Sequence, residues 1–282
     1  MLISYSFLTP HSSDARSEEE FARTHAGHSD GVPWHHHFFE SPMANTIQSY
    51  VVTGANQGLG YHTVHQIAQK PHTLVFLGAR RITAAEEAIA SFAADIHSTS
   101  AVVPVYMDLT NEKTVTDAAA FVAATLKERG LSGLDALVNN AAIATGPDLA
   151  IFATNVVGTL AVKNAFRPLL KSGSRIVNVS SLLGSQAMHG ARPPIAVMVF
   201  KTYAASKVAL NNLTLQWAFE EEEAKSGISV IALCPGLTST AATGFIAQGA
   251  PPEQSCKVIV DSATGSPKNG IFLDVKGDIA PW

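Results

Sequence analysis

Residues 50–60 read Tyr-Val-Val-Thr-Gly-Ala-Asn-Gln-Gly-Leu-Gly, a β-branched run followed by glycines spaced G-x-x-x-G-x-G. A helix-like segment follows. A strand that turns sharply into a helix presents free backbone N–H groups and the positive end of the helix dipole, which suits a phosphate. Gly54 permits the tight turn, Gly58 lets a pyrophosphate approach, and Gly60 allows close helix–strand packing. Plain turns also carry glycines, but the strand–helix context favours a dinucleotide site. The candidate cofactor contacts in this turn are Gly54, Asn56, Gln57, Gly58, Leu59 and Gly60.

Composition limits the class of protein. The chain has 282 residues, a net charge of −4 and 46% hydrophobic residues, which is typical of one large soluble domain with an ample core. Without a basic excess, nucleic acid is not expected as a partner. Two cysteines give no disulfide framework and indicate a reducing compartment, so we expect a cytoplasmic protein. No apolar run is expected to reach the roughly 18–20 residues of a membrane helix, and no membrane association is expected.

Residues 1–48 differ from the rest of the chain. They contain an acidic run, scattered Gly and Pro, and three consecutive histidines, His35 to His37, without sustained periodicity. This composition predicts a disordered or weakly ordered tail. Consecutive histidines cannot all face one ion in regular structure, so a solvated tail is favoured over a metal site.

From residue 49 to residue 282, strand-like and helix-like segments alternate. This pattern predicts an α/β fold, a doubly wound parallel sheet with helices on both faces. The expected strands are 49–53, 73–79, 101–107, 134–139, 174–180, 228–234 and 270–274. The expected helices are 59–70, 83–97, 111–129, 149–170 and 203–225. The run from Glu220 to Glu223 is interpreted as a solvated helix face.

The second strand ends in Arg80 and Arg81, where a dinucleotide fold carries its ribose-recognition residue. An acidic residue there would accept from a ribose 2′-OH, but none occurs until Glu86. Arg80 therefore favours NADP(H), with NAD(H) left open. Asp108 and Leu109 end the third strand and are candidates for contacting the adenine. Alternatively, Asp108 caps the following helix.

Two further segments suggest chemistry. Asn140 and Ala141 end the fourth strand, where small residues leave room for a flat ligand. Tyr203 and Lys207 lie four apart on one helical face, and a cation favours the phenolate of a neighbouring tyrosine, whose pKa starts near about 10. Ser181, at the end of a buried strand, could donate to a carbonyl oxygen as negative charge develops, with Ser180 as its rival.

In this order, the segments resemble the motif series of the short-chain dehydrogenase/reductase family. The resemblance covers about residues 49–282 and implies a one-domain Rossmann fold, a nicotinamide cofactor and an Asn-Ser-Tyr-Lys tetrad. By resemblance, Tyr203 is the proton donor for carbonyl reduction, and Lys207 lowers its pKa and binds the nicotinamide ribose. Ser181 orients the carbonyl, and Asn155 supports a proton-relay water near Lys207.

The resemblance also extends to the C-terminal third. The segment 234–240 is similar to the family's nicotinamide-side loop, which makes Thr240 a candidate for the carboxamide. The closing residues 270–274 and 281–282 resemble those of fungal and carbonyl-reductase-like members. In the family, the helices at 149–170 and 203–225 often form a dimer interface, so a homo-oligomer is expected. The cofactor contacts implied here are Pro235, Gly236, Thr238 and Thr240, besides Tyr203 and Lys207.

Three departures from the family pattern stand out. Gln57 replaces the basic residue of many NADP-using members. Asn140 to Asn155 spans only 15 positions (155 − 140), and this shortening is the feature expected to impair catalysis. Ser181 to Tyr203 spans 22 positions (203 − 181), which is longer than usual. The extra segment, 186–201, is expected to border the active site.

Two hypotheses follow. In the first, the chain is an NADP(H)-dependent oxidoreductase that interconverts a carbonyl and an alcohol on a small, fairly apolar substrate. In the second, it is a dinucleotide-binding regulatory or scaffold protein with little turnover, which the shortened stretch favours. No metal site is expected, because His62 and His65 share a helix without a third ligand. Cys234 is interpreted as a small buried hydrophobe.

Overall fold

In the computed structural model, residues 46–189 and 195–282 are described, and within them seven parallel strands form one sheet in the order β3-β2-β1-β4-β5-β6-β7. The order reverses between β1 and β4, so their carboxyl ends flank the crevice where open α/β sheets bind ligands. The predicted fold class is therefore confirmed. The strands are β1 (Gln48–Val52), β2 (Thr73–Ala79), β3 (Ala101–Tyr106), β4 (Leu134–Asn139), β5 (Leu170–Val179), β6 (Ser229–Leu233) and β7 (Phe272–Leu273).

The sheet separates two hydrophobic cores, because successive side chains of a strand point to opposite faces. Along β1, Tyr50 and Val52 face one core and Val51 faces the other, and all three are buried. The helices are α1 (Gly58–Ala68), α2 (Ile82–Ser91), α3 (Glu112–Glu128), α4 (Asp148–Phe152), α5 (Thr159–Phe166), α6 (Gln186–His189), α7 (Ile195–Val199), α8 (Lys201–Glu223), α9 (Pro252–Ser255) and α10 (Lys257–Thr264).

Several sequence-based boundaries were wrong. The helix predicted at 83–97 ends at Ser91, and a short 3₁₀ turn follows. Four helices were not predicted, namely α6, α7, α9 and α10. The last strand comprises only Phe272 and Leu273. Residues 1–45 of the predicted tail (1–48), with its three histidines, and residues 190–194 of the extra segment lie outside the described residues. At the end of the predicted tail, Gln48 instead begins β1.

The segment Asp148–Leu169 corrects the expectation about apolar runs. Within the described residues it is the single 22-residue helical stretch long and apolar enough to cross a membrane by length and composition alone, a test that core helices also pass. It is not one regular helix, because a π-helical turn at Ala153–Gly158 separates α4 from α5. It packs against α3 and α8.

The acidic run at the end of α8 is not a solvated face throughout. Glu221 is buried, and both of its carboxylate oxygens accept hydrogen bonds from the Arg167 guanidinium. Glu220 accepts from Lys163 at 2.9 Å. Burial favours the neutral acid, but the bonds from Arg167 and Ser226 outweigh it, so the pKa of Glu221 lies below its ordinary value. These pairs join α8 to the chain around α5.

We predict that Glu221→Gln lowers the free energy of unfolding by about 2 kcal/mol at pH 7, because it leaves Arg167 without its partner. The folded-state pKa is depressed, so this contribution is present above the ordinary value of 4.5 and is lost as the pH falls through the folded pKa. Urea unfolding at neutral and acidic pH measures it. The exposed Glu222 provides the control, Glu222→Gln. Equal stability of the two variants at pH 7 would contradict the assignment.

Candidate active site

The glycine turn after β1 has the backbone that its sequence predicts. Gly54 and Gly58 have φ of 61° and 58°, a region in which a side chain would strain the backbone. At Gly60, an added Cβ would lie 2.5 Å from Asn140 Nδ2 and 2.7 Å from the Gly54 carbonyl oxygen. Leu59 packs on the core behind the turn. Gly54 and Gly60 therefore serve the tight turn and the close packing expected of them, and the approach of a pyrophosphate to Gly58 remains a prediction.

The end of β4 is tied to the same turn. The Thr53 hydroxyl accepts hydrogen bonds from the backbone N–H groups of Asn140 (3.1 Å) and Ala141 (3.0 Å). In return, Asn140 Nδ2 donates to the carbonyl oxygens of Thr53 (2.9 Å) and Gly54 (3.0 Å). An added Cβ on Gly54 would meet Ala141 at 2.8 Å. The amide and the small residue thus join the two strands at the crevice.

A cavity of about 400 Å³ lies beside this turn. It brings together Arg80, Arg81 and Asp108, which the sequence proposed for the adenosine half of a dinucleotide, with Asn56 and Gln57 of the glycine turn. The lining residues are Asn56, Gln57, Arg80, Arg81, Ala84 and Asp108. Both arginines are exposed, so their guanidinium groups are free to meet an anion from solvent.

Asp108 does not cap α3, which corrects one of its two sequence-based assignments. Asn111 is the N-cap residue, and its side chain accepts from the Lys113 N–H. The Asp108 carboxylate instead accepts from the backbone and hydroxyl of Thr110, at 2.9 and 2.8 Å. The Leu109 side chain is buried, close to Gly158. Its cofactor contact remains a prediction.

The serine, tyrosine and lysine of the expected tetrad lie together. Ser181 follows β5 and lies close enough to the Tyr203 phenol to affect its pKa. Lys207 Nζ lies 5.5 Å from the centroid of the Tyr203 ring, one turn along α8. It donates to the Val179 carbonyl at 2.8 Å, which fixes the ammonium at the carboxyl end of β5. The rival Ser180 is buried and donates to Asn211 Oδ1 at 2.5 Å, so it holds α8 instead.

The expected lowering of the Tyr203 pKa is not found in the protein without cofactor. Burial, followed by the nearby Cys234, raises the pKa of Tyr203 to about 12, against a smaller lowering by the Ser181 hydrogen bond. Burial also lowers the pKa of Lys207 to about 8, against a smaller opposing effect of Cys234. Desolvation disfavours the charged form of both groups. At neutral pH the phenol is therefore protonated.

Asn155 reaches the site from the π-helical turn. Its Nδ2 donates to the Ile143 carbonyl (2.9 Å) and to Ser206 Oγ (3.0 Å), and its Oδ1 accepts from the Ile143 N–H (2.9 Å). Ser206 donates to the Tyr203 carbonyl at 2.7 Å. The side chain of Asn155 thus links the end of β4 to the catalytic helix despite the short Asn140–Asn155 stretch. The water that the family resemblance places near Lys207 remains a prediction.

The loop after β6 closes the other side of the crevice. Thr240 is buried, and its methyl group lies 3.5 Å from where a Cβ on Gly58 would be. Thr238 is also buried and donates to the Gly236 carbonyl at 3.3 Å. Pro235 and Gly236 form the turn out of the strand, and Gly236 has a φ of 78°. These four residues remain candidate cofactor contacts.

Sequence reasoning missed the polar residues that join the catalytic helix to the sheet. Asn139 Nδ2 donates to Asn178 Oδ1, and Asn178 Nδ2 donates to the Thr214 hydroxyl, both at 2.8 Å. Ser206 was missed in the same way. A polar residue in an otherwise apolar β5 run was the available signal, because a buried amide needs partners.

The structure assigns no functional role to the other two candidates in the sequence, the His62 and His65 pair and Cys234. His65 Nε2 lies 2.8 Å from Asp95 on the surface, and within the described residues no group of three or more His, Cys, Asp or Glu side chains is placed to hold a metal. Cys234 is buried as expected, with a raised thiol pKa caused first by burial. It nevertheless lies close enough to Tyr203 and Lys207 to influence both.

The residues present fit a dinucleotide. The glycine turn admits no Cβ at Gly54 or Gly60, its neighbour Thr53 is fully committed to β4, and the adjoining cavity carries two free guanidinium groups. Such a cradle leaves backbone N–H groups and cations for phosphates. The tetrad lies at the carboxyl end of β5, two strands from the glycine turn.

Comparison with known proteins agrees with this geometry. The short chain dehydrogenase family model matches residues 48–250. The short-chain dehydrogenase anuI of Penicillium roqueforti is 33% identical over 238 residues, which cover 77% of this chain and 89% of the relative. An NADP-dependent 3-hydroxy acid dehydrogenase of Schizosaccharomyces pombe is 28% identical over 205 residues, or 68% of this chain and 72% of the relative.

Solved structures give the same result. NADPH-bound carbonyl reductase from chicken fatty liver superposes with a TM-score of 0.70 at 26% identity, covering 84% of this chain and 95% of the other. Carbonyl reductase Sniffer of D. melanogaster has the same score and identity, covering 84% of this chain and all of the other. With its seven-stranded parallel sheet and matching motifs, the chain belongs to the short-chain dehydrogenase/reductase family of oxidoreductases.

Proposed function

We propose that this oxidoreductase uses NADP(H) to interconvert a carbonyl and an alcohol on a small, fairly apolar substrate. The observation that carries the proposal is the joint placement of Ser181, Tyr203 and Lys207 at the carboxyl end of β5. A reduced nicotinamide, when bound, supplies the hydride. The protein's own groups then supply a proton and polarise the carbonyl.

Tyr203 is suited to donate that proton. Its raised pKa, about 12, keeps the phenol protonated at neutral pH, and Ser181 lies close to the hydroxyl. A carbonyl oxygen beside both hydroxyls would accept from Ser181 and receive the proton from Tyr203 as negative charge develops. The Lys207 ammonium is close enough to stabilise the phenolate that remains.

The preference for NADP(H) rests on the cavity beside Arg80. Two arginines line it, and its one acidic residue, Asp108, is already bonded to Thr110. An arginine fork binds a phosphate through charge-assisted hydrogen bonds. The NADPH-bound carbonyl reductase from chicken and the NADP-dependent relative from Schizosaccharomyces pombe support the same preference.

The preference for an apolar substrate rests on the short helices and loops around the site. They expose large apolar side chains, and ligand pockets are lined predominantly by such residues. The side chains concerned are Met188, Met198, Phe200, Leu237 and Phe245. The alternative, a binding protein with little turnover, depended on the short Asn140–Asn155 stretch. Asn155 nevertheless forms hydrogen bonds with Ser206 and Ile143, so the short stretch does not support the binding-protein alternative.

We also propose that the chain forms a homo-oligomer through α4, α5 and α8, as the family resemblance implies. Apolar side chains along this surface are exposed, including Leu149 at 86%, Val157 at 62% and Phe219 at 64%. Burying them against a second copy would remove apolar area from water.

The first prediction concerns the proton donor. Tyr203→Phe removes the hydroxyl and keeps the ring, so we expect kcat for a reducible carbonyl compound to fall about 10²–10⁴-fold with NADPH affinity retained. Steady-state kinetics and NADPH fluorescence titration measure both quantities. Tyr106→Phe, at an exposed tyrosine on β3, is the control and keeps full activity. Unchanged turnover in Tyr203→Phe would refute the role.

The second prediction concerns the cofactor. Arg80→Ala removes a charge-assisted bond to the 2′-phosphate, so the Kd for NADPH rises about 10–100-fold while the Kd for NADH changes less than about threefold. Arg129→Ala, at an exposed arginine following α3, leaves both values unchanged. Equal losses for the two cofactors would mean that Arg80 does not read the phosphate.

The third prediction concerns assembly. Phe219→Asp places a charge on the proposed interface, so light scattering should show a shift from a multiple of the chain mass to a single chain. Tyr106→Asp, with a similar charge on the edge strand β3, is expected to keep the wild-type mass. A wild-type protein that is already a single chain would overturn the proposal.

A further inference from the structure

Pro281 and Trp282 contact the segment that follows Ser181, and neither has a role so far. The Pro281 carbonyl oxygen accepts a hydrogen bond from the Ser185 hydroxyl at 2.7 Å, and the Trp282 carbonyl oxygen accepts one from the Ala187 N–H at 2.8 Å. The Trp282 ring stacks on Phe272 of β7, with ring centroids 5.4 Å apart and an interplanar angle of 26°. These residues therefore join the last strand to α6.

α6 depends on these contacts because it is only four residues long. A helix this short is not stable alone, and its first N–H groups have no partners within the helix. Ser185 Oγ accepts the Met188 N–H at 3.2 Å while donating to Pro281. Ser185 is completely buried, so solvent does not reach its hydroxyl to replace Pro281 as the hydrogen-bond acceptor. The C-terminal carbonyls thus complete the N-terminus of α6.

The opposite side of the segment is held by α8. An added Cβ on Gly184 would lie 2.7 Å from the Lys207 backbone, and Asn211 Nδ2 donates to the Gly184 carbonyl at 3.1 Å. Leu182 and Trp282 pack on the same buried cluster, which includes Phe272. Residues 182–189 are therefore clamped between the catalytic helix and the C-terminal residues.

The clamped segment also borders open space. A cavity of about 350 Å³ lies between α6, α7 and α8. Its lining includes Leu183, Gln186 and His189 on one side and Val197, Lys201 and Val208 on the other. Ser181 directly precedes this segment and lies close to Tyr203, so the position of α6 affects where Ser181 is held.

We propose that Pro281 and Trp282 are positioning residues that hold 182–189 beside Ser181 and thereby limit the size of the carbonyl substrate. The clamp follows from the contacts alone. The effect on specificity rests on the proposed function, so the two are tested by separate measurements.

The first measurement is hydrogen–deuterium exchange of residues 182–189 in Trp282→Ala, with Trp282→Phe as the conservative variant. We expect exchange at Ala187 and Met188 to accelerate about 5–10-fold in Trp282→Ala, the scale of one lost buried hydrogen bond, and to stay near wild type in Trp282→Phe. Ser185→Ala should give the same acceleration without altering the aromatic stack. This variant therefore tests the proposal even if Trp282→Ala does not fold.

Ser226→Ala is the matched control. The Ser226 hydroxyl also donates to a carbonyl (Glu221, 3.2 Å) and accepts a backbone N–H (Ile228, 3.1 Å), but it lies before β6, at the opposite end of the sheet. It should leave exchange at 182–189 unchanged. Wild-type exchange in both Trp282→Ala and Ser185→Ala would overturn the clamp.

The second measurement compares KM and kcat for aldehydes and ketones of increasing size with NADPH. We expect the size preference of Trp282→Ala to change by about fivefold or more in KM, with kcat within about twofold and the Kd for NADPH unchanged. A uniform fall in kcat for every substrate, or no change in the preference, would overturn the specificity role. If the wild type reduces no carbonyl compound, the proposed function fails, and the exchange measurement still decides the clamp.

Discussion

The site depends on one buried ammonium group. Lys207 is almost completely enclosed, and removing a charge from water is costly, so the fold must supply partners for it. The Val179 carbonyl is the partner that the structure shows, and Tyr203 lies within cation–π distance. The cost remains visible, since burial lowers the pKa of Lys207 to about 8.

A frame of buried polar contacts holds this group in register with the sheet. Asn139, Asn178 and Thr214 form a chain from β4 through β5 to α8. Ser180 and Asn211 add a second link at the end of β5. Each is a side-chain hydrogen bond away from solvent, where a lost partner leaves an unsatisfied group. The catalytic helix therefore cannot slide along the sheet without breaking several bonds at once.

The fold was largely predictable because its strands are continuous apolar runs separated by glycine turns. All seven expected strands are present, although β7 keeps only Phe272 and Leu273. The helices α9 and α10 were missed because the segment 252–264 is short and begins with a proline. The π-helical turn that carries Asn155 has no sequence signal of its own. The π-helical turn lies where Gly158 packs tightly against Leu109 and where Asn155 forms a hydrogen bond with Ile143.

The grouping of Ser181, Tyr203 and Lys207 was predictable, but their electrostatics were less so. Spacing on a helix brings Tyr203 and Lys207 together, and strand order brings Ser181 to them. Spacing does not reveal how deeply the pair is buried, so the sign of the Tyr203 shift was wrong. The prediction that Glu221 is solvated was wrong for the same reason, because a run of four glutamates does not show which of them faces Arg167. Burial is a tertiary property that local sequence does not encode.

The pH dependence of kcat/KM for NADPH tests the central role of Lys207 most directly, because this ratio reports the ionisable groups of the free enzyme. Because the pKa of Lys207 is about 8, kcat/KM should be constant at lower pH. It should fall as the pH rises through about 8, where the ammonium loses its proton. In Lys207→Arg, whose guanidinium stays charged, the fall near pH 8 should disappear. A wild-type profile that is flat through pH 8, or an unchanged fall in Lys207→Arg, would contradict the account.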